Sequence, residues 1–287
     1  MSFPIVELPA AEFPVGLREI PQPPEKLNYR GQLPAADLTL LSIVGPRKYT
    51  TYGKQVVEEL VGGLKGQPVG IVSGLALGID SLAHEAALKN GLYTLAIPGG
   101  GISDERIYPA SHKKLAYRIL EAGGGLLSEF DPDFQATKWS FIQRNRLVAG
   151  ISQATLLPEA APKSGTLTTA RMTADYSRDL LVVPGSIFAE TSKGVHQFLK
   201  LGAIPITSKE DLLDALNLAP QEAAPAQASL ALSPIELLII NTLTEPTHRD
   251  ELIRKCGLGV AEAAQTLMML ELQGHIASEQ NVYRRCL

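Results

Sequence analysis

Six short runs that are apolar almost throughout punctuate the first two thirds of the chain: Thr39 to Val44, Val69 to Ser73, Tyr93 to Ile97, Leu126 to Phe130, Ala154 to Pro158 and Leu180 to Pro184. A strand with one face in water alternates apolar and polar residues, so near-continuous apolarity implies burial on both faces, as in a parallel sheet. Helical segments fill the gaps: Tyr52 to Leu64, Ser81 to Asn90, Ser111 to Ala122, Phe141 to Ile151, Thr166 to Tyr176, Val195 to Leu201 and Ser208 to Leu216. Several open on Ser or Thr and close on Gly, and Ser208 with Asp211 forms a box-like start. This alternation predicts an α/β fold, an extended Rossmann-like doubly wound, mainly parallel sheet with right-handed crossovers. Ligands of such sheets bind at the carboxyl ends of the strands.

The flanks read differently. Residues 1–38 carry seven prolines with little periodicity and predict an extended Pro-rich lead-in, ahead of a Rossmann-like domain at 39–216. Residues 217–229, dominated by Ala, Pro and Gln, predict a linker. In residues 230–287, Ser233 to Leu243, Arg249 to Cys256 and Val260 to Leu272 read as amphipathic helices before a hairpin-like Gly274 to Tyr283, a winged-helix layout. Met1 to Leu8 carries Pro4 and Glu7 rather than a signal peptide, and no apolar run approaches the roughly 18 residues of a membrane span; the expectation is a soluble cytoplasmic protein without membrane contact. Cys256 and Cys286 are the only cysteines and have no metal-ligand spacing, which fits a reducing compartment.

The net charge of −4 argues against nucleic acid only if charge is evenly spread. The acidic excess falls in the two flanks, whereas the central part is close to neutral and its cations gather at the strand-end loops. Arg144-Asn145-Arg146 lies in one such segment and Lys163-Ser164-Gly165 in the next, before Thr166. Gly45-Pro46-Arg47 closes the first strand, and Ser73-Gly74 through Gly78 to Asp80 closes the second. Each is a strand running into a turn and then a helix, where free backbone N–H groups cradle anions. With Arg144 on the outward face of its helix, these loops predict a phosphate-bearing polymer or nucleotide as ligand. Pro98-Gly99-Gly100-Gly101 reads equally as close packing, and Trp139 with Phe141 offers a stacking face whose simpler role is packing. Nucleoside-triphosphate, zinc-protease and serine-hydrolase signatures are absent, and His84, His112 and His196 stand singly; no catalytic, cofactor or metal site is expected.

Taken in order, Ser73 to His84, Arg144-Asn145-Arg146 with Ala149-Gly150, Glu159 to Gly165 through Arg171, and Pro184-Gly185-Ser186 resemble the DNA-processing protein A family (DprA, also called Smf). The resemblance is close over 14–211, its lead-in matches Phe13 to Gly31, and the last 55 or so residues resemble that family's winged-helix domain. It implies a non-catalytic protein that binds single-stranded DNA, protects it and loads a RecA-type recombinase onto it in natural transformation. It also implies a homodimer formed through the α/β domain. Carried over by motif, Arg47, Arg144 and Lys163 would line the pocket, with Ser164 and Gly165 offering backbone donors. Phosphates would sit at Gly74 and Ser164-Gly165, within a site formed by Arg47, Ser73, Gly74, Gly78, Arg144, Asn145, Arg146, Lys163, Ser164 and Gly165. Three departures stand out: Pro46 replaces a small hydroxyl residue, the Gly101 to Pro109 loop is longer than usual, and the N-terminal helical domain of many members has no counterpart in this sequence. The alternative is a nucleotide phosphoribohydrolase of the LOG type. There the loop around Pro162 to Thr166 is altered and Thr169 falls near the catalytic carboxylate's place, which leaves acid–base chemistry without its group. For the winged-helix segment, a partner-docking role fits better than duplex binding, because carboxylates outnumber its five Lys and Arg residues.

Overall fold

A computed structural model describes residues 3–219, 232–279 and 281–285. The chain divides into two compact units, Met1–Gln221 and Glu222–Leu287. The first runs β1 (Ile5–Leu8), α1 (Val15–Arg18), β2 (Leu27–Gly31), β3 (Thr39–Ile43), α2 (Thr51–Gly62), β4 (Val69–Ser73), α3 (Ile79–Lys89), β5 (Tyr93–Ala96), α4 (Lys113–Glu121), β6 (Gly125–Ser128), α5 (Lys138–Ile151), β7 (Ala154–Leu157), α6 (Thr166–Asp175), β8 (Asp179–Val182), α7 (Glu190–Lys200), β9 (Ile204–Pro205) and α8 (Lys209–Ala215). Its nine strands form one sheet in the order β1-β2-β6-β5-β4-β3-β7-β8-β9. The pairs from β6 through to β9 are parallel, and β1-β2 and β2-β6 are antiparallel.

The apolar strands are buried on both faces because successive side chains enter different cores. Leu40, Val72 and Leu95 point into one with Leu147, Leu167 and Val195 of α5, α6 and α7. Leu41, Ile43, Ile71 and Leu156 point into the other with Val57, Ile79, Ala83 and Leu212 of α2, α3 and α8. Helix starts follow local chemistry: Thr50 accepts from the Gly53 amide, and Ser208 with Asp211 forms the reciprocal box expected from the sequence.

The Pro-rich lead-in is more than an extended arm. Its Leu27–Gly31 segment pairs with β6 and carries β1 as a further edge strand, so the lead-in completes the sheet. The sequence hid this because both strands are short, lie between prolines and acquire partners only across the fold. Arg30 on β2 is buried, donating to the Phe3 carbonyl at 2.8 Å and to Asp104 at 2.5 Å, which fastens the lead-in to the loop after β5.

The second unit contains α9 (Pro234–Thr242), β10 (Thr247–His248), α10 (Arg249–Cys256), α11 (Val260–Leu272), β11 (Ile276–Glu279) and β12 (Val282–Arg285). A three-stranded antiparallel sheet in the order β10-β12-β11 backs the helices, and Ile239, Leu243, Leu252, Leu267, Leu270 and Ile276 form its own core. This is the winged-helix layout, with β10 as a strand too short to register in the sequence. Most of the expected linker, residues 220–229, and Cys286 lie outside the described residues.

Candidate nucleic-acid interface

The order of the parallel strands fixes where a ligand can sit. From β3 the chain winds outward through β4, β5 and β6, then returns to place β7 on the other side of β3. The crossovers on either side of that reversal diverge, opening a crevice at the carboxyl ends. A cleft of about 670 Å³ lies there, lined by Arg47, Gly74, Asp80, Tyr108, Lys138, Phe141, Arg144, Asn145 and the Ser164 to Thr166 turn, among others.

Arg144 is at the centre of this arrangement, but as a buried brace. The sequence placed it on the outward face of α5; it is 5% exposed and points into the sheet end. Its Nη1 donates to the Gly74 carbonyl at 2.7 Å and also to the Ile97 carbonyl, joining the turns after β4 and β5. The outward direction of α5 goes instead to Ile142, which is exposed. Gly74 is glycine for the same reason: a Cβ there would lie 2.4 Å from the Arg144 guanidinium.

The expected phosphate position at Gly74 is already filled. Asp80 Oδ2 accepts from the Gly74 amide at 3.1 Å and the Ala76 amide at 3.4 Å, so a carboxylate of the chain occupies that nest. Burial pushes the Asp80 carboxyl above its ordinary range, while the Arg144 charge and these amides pull the other way. Gly78 has φ of 91°, which a side chain would strain, and a Cβ there would fall 2.2 Å from the Pro46 carbonyl. It therefore shapes the turn that carries Arg47. The Ser73 hydroxyl donates to the Ile43 carbonyl at 2.6 Å and does not face the cleft. Arg146 departs furthest from expectation: it is buried in an ion pair with Glu129 and does not line the cleft, since two residues along a helix turn a side chain away from its neighbour's face.

What remains free is the rim. Arg47 and Lys163 are exposed, and none of the ion pairs among the described residues involves either. Lys163 does not itself line the cleft; it stands just before Ser164 and Gly165, which do. Gly165 caps α6 with open space where a Cβ would stand. The first amides of the helix are taken, Thr166 donating to the Ser164 hydroxyl at 3.3 Å, Leu167 to the Ser164 carbonyl at 3.1 Å and Thr168 to the Gly165 carbonyl at 3.1 Å. What this end offers the cleft is therefore the positive end of the helix dipole. The Arg47 guanidinium lies 5.3 Å from the Phe141 ring centre, and Tyr108 is tilted against the same ring at 5.6 Å. The sequence reading missed Tyr108, Lys138 and the anchoring role of Asp80; the carboxylate six residues after Gly74 was the available signal for the last.

The site offers little for bond-making chemistry. The two oxygens of the buried Glu159 accept from the Thr50 amide at 2.9 Å and the Thr50 hydroxyl at 2.7 Å. Asp80 is held as described, and Thr169 lines the cleft where a hydrolase of the alternative type would need a carboxylate. Among the described residues no cluster of His, Cys, Asp or Glu is arranged to hold a metal, and no helix is long and apolar enough to cross a membrane.

Comparison with known proteins adds to this geometry. Residues 5–217 match the model of the DNA recombination-mediator protein A family, and residues 211–280 match that of the DprA winged helix domain. Protein Smf of Escherichia coli is 36% identical over 271 residues, covering 91% of this chain and 72% of that protein. The DNA processing protein DprA of Streptococcus pneumoniae is 38% identical over 203 residues, 70% of each chain, and its X-ray structure superposes with a TM-score of 0.68 at 35% identity over 75% of this chain and 74% of that one. DNA processing protein A from Helicobacter pylori, described for its unique single-stranded DNA binding mode, superposes with a TM-score of 0.67 at 31% identity over 75% of this chain and 96% of that one.

Proposed function

The chain belongs to the DNA recombination-mediator protein A family, and from that premise we propose that its carboxyl-end cleft holds a single DNA strand without reading sequence. The family is one of DNA-processing proteins that act by binding, and the protein is not an enzyme. The observation that carries the single-strand reading is the pairing of uncompensated cations, Arg47 and Lys163, with the half-buried Phe141 and exposed Tyr108 rings of the cleft and the amino end of α6 at one rim. Phosphates are drawn to the cations and to the positive end of the α6 dipole, and bases stack on the Phe141 and Tyr108 rings. A duplex buries its bases and offers no such stacking. The single-strand binding mode described for the Helicobacter pylori relative supports the same assignment.

In this reading Arg47, Lys163, Ser164, Gly165 and Asn145 contact DNA, whereas Ser73, Gly74, Gly78, Asp80 and Arg144 hold the shape of the cleft. The bound strand is protected and handed to a RecA-type recombinase, and two copies joined through the α/β unit raise avidity by presenting two clefts to one strand. The test is a titration of labelled single-stranded and duplex DNA at several salt concentrations. Preference for the single strand is expected, and Lys163→Ala and Arg47→Ala should each flatten the slope of log K against log salt by about 0.7. An unchanged slope in both variants would move the site elsewhere.

A further inference from the structure

Single exposed apolar side chains are ordinary, but exposed rings grouped on one part of the surface mark an interaction site, and in this protein they are not scattered. Among the described residues the exposed aromatics are Tyr49, Tyr52, Tyr108, Trp139 and Phe188. All five lie in the chain that follows carboxyl ends of parallel strands: Tyr49 and Tyr52 after β3, Tyr108 after β5, Trp139 after β6 and Phe188 after β8. Tyr108 belongs to the cleft. Tyr49, Tyr52 and Phe188 do not line it, and Phe188 is 90% exposed beside Ile187 at 73%.

These three rings stand on two loops and the first turn of α2, which are bonded into one rim. The Thr50 amide and hydroxyl are held by Glu159, which joins the loop after β3 to the loop after β7. The Tyr52 hydroxyl donates to the Pro184 carbonyl at 2.6 Å, and the Ala160 amide donates to the Thr191 carbonyl at 2.7 Å, joining both loops to the segment after β8. Exposed Lys48 and Lys163 stand on two of the same connections, Lys48 next to Tyr49 after β3 and Lys163 after β7, again without ion-pair partners among the described residues. A rim that carries both cations and exposed rings is the pattern that tracks a single strand.

Resting on the single-strand reading of the cleft, we infer that the strand does not end there: it continues over Lys163 and Lys48 and stacks further bases on Phe188, Tyr49 and Tyr52. The site is therefore longer than the cleft, with a central part set by Arg47, Phe141 and Lys163 and an extension set by Phe188. Phe188 is the ring to test, because its exposure means that its removal costs no core packing, whereas Tyr52 is tied to Pro184.

The experiment is an anisotropy titration of the full chain with oligothymidylates of about four to about sixteen nucleotides, the range of single-strand site sizes. Phe188→Ala should leave the shortest oligonucleotides bound as before and weaken the longest by roughly five- to hundredfold, the effect of losing a stacked base. Phe188→Trp should restore the long-oligonucleotide affinity. Arg47→Ala with Lys163→Ala should weaken every length, which separates a failure of the cleft from a failure of the extension. Unchanged affinity of Phe188→Ala at every length, as a protein-docking patch would give, overturns the inference. Equal loss at every length overturns it too, because it would put Phe188 inside the central site.

Discussion

Arg144 and Arg146 look alike in the sequence, and neither is the exposed phosphate clamp that an R-N-R run suggests. Arg144 spans two turns, and removing it leaves the Gly74 and Ile97 carbonyls without their donor. The change also takes away a charge that favours the ionised Asp80, whose carboxylate accepts from the Gly74 and Ala76 amides. Arg144→Ala is expected to cost about 2–4 kcal/mol of folding stability, measured by chemical denaturation, because two buried carbonyls lose a charged donor. Lys163→Ala, exposed and unpaired, should leave stability within about 0.5 kcal/mol. A second residue-scale effect concerns His84, whose ring is fully buried with Nδ1 against the Thr94 hydroxyl at 2.7 Å and Nε2 unpartnered. Burial, with some repulsion from His112 and Arg144, pulls its pKa from 6.5 down to about 3. Between those values the unfolded chain binds a proton that the native state refuses, so stability is fully present above about pH 6.5 and falls as pH drops toward 3. The loss between pH 7 and pH 5 should be about 2 kcal/mol, and His84→Gln should flatten that part of the stability curve.

At the scale of elements, strands and helices follow from local pattern, but each end that builds the site depends on one packed turn. The turn from β4 into α3 is the clearest case: Gly78 takes a positive φ directly beneath the Pro46 carbonyl, and the Ile79 amide donates to that same carbonyl at 3.2 Å. Gly78→Ala adds both backbone strain and a collision with the loop that carries Arg47, and should destabilise by roughly 3 kcal/mol. If it still folds, displacement of Arg47 should weaken single-strand affinity as well, visible in the same titration. The start of α5 is held in a similar way, its Ser140 hydroxyl donating to the Gly99 carbonyl at 2.5 Å while Thr137 caps the helix. The capping pair is local and could be read from sequence; the Gly99 bond, 41 residues away, could not.

For the whole molecule, two units with separate cores imply separable folding. Residues 3–219, expressed alone, should unfold cooperatively and keep salt-sensitive single-strand binding, and residues 232–285 should melt independently; calorimetry and the DNA titration check both. The sequence by itself determined the sheet class, most of its elements, the winged-helix unit and the loops on which the site stands, because hydrophobic period, caps and glycine turns act over a few residues. It also marked Arg47, Lys163 and Gly165, whose environment is solvent and whose chemistry is therefore their own. It could not show that the lead-in supplies two strands, that Asp80 occupies the Gly74 nest, that Arg144 turns inward and Arg146 pairs with Glu129, or that exposed rings collect on one rim. Only the tertiary structure decided those, because a buried polar group takes its role from partners brought together across tens of residues, and sequence spacing does not encode that distance.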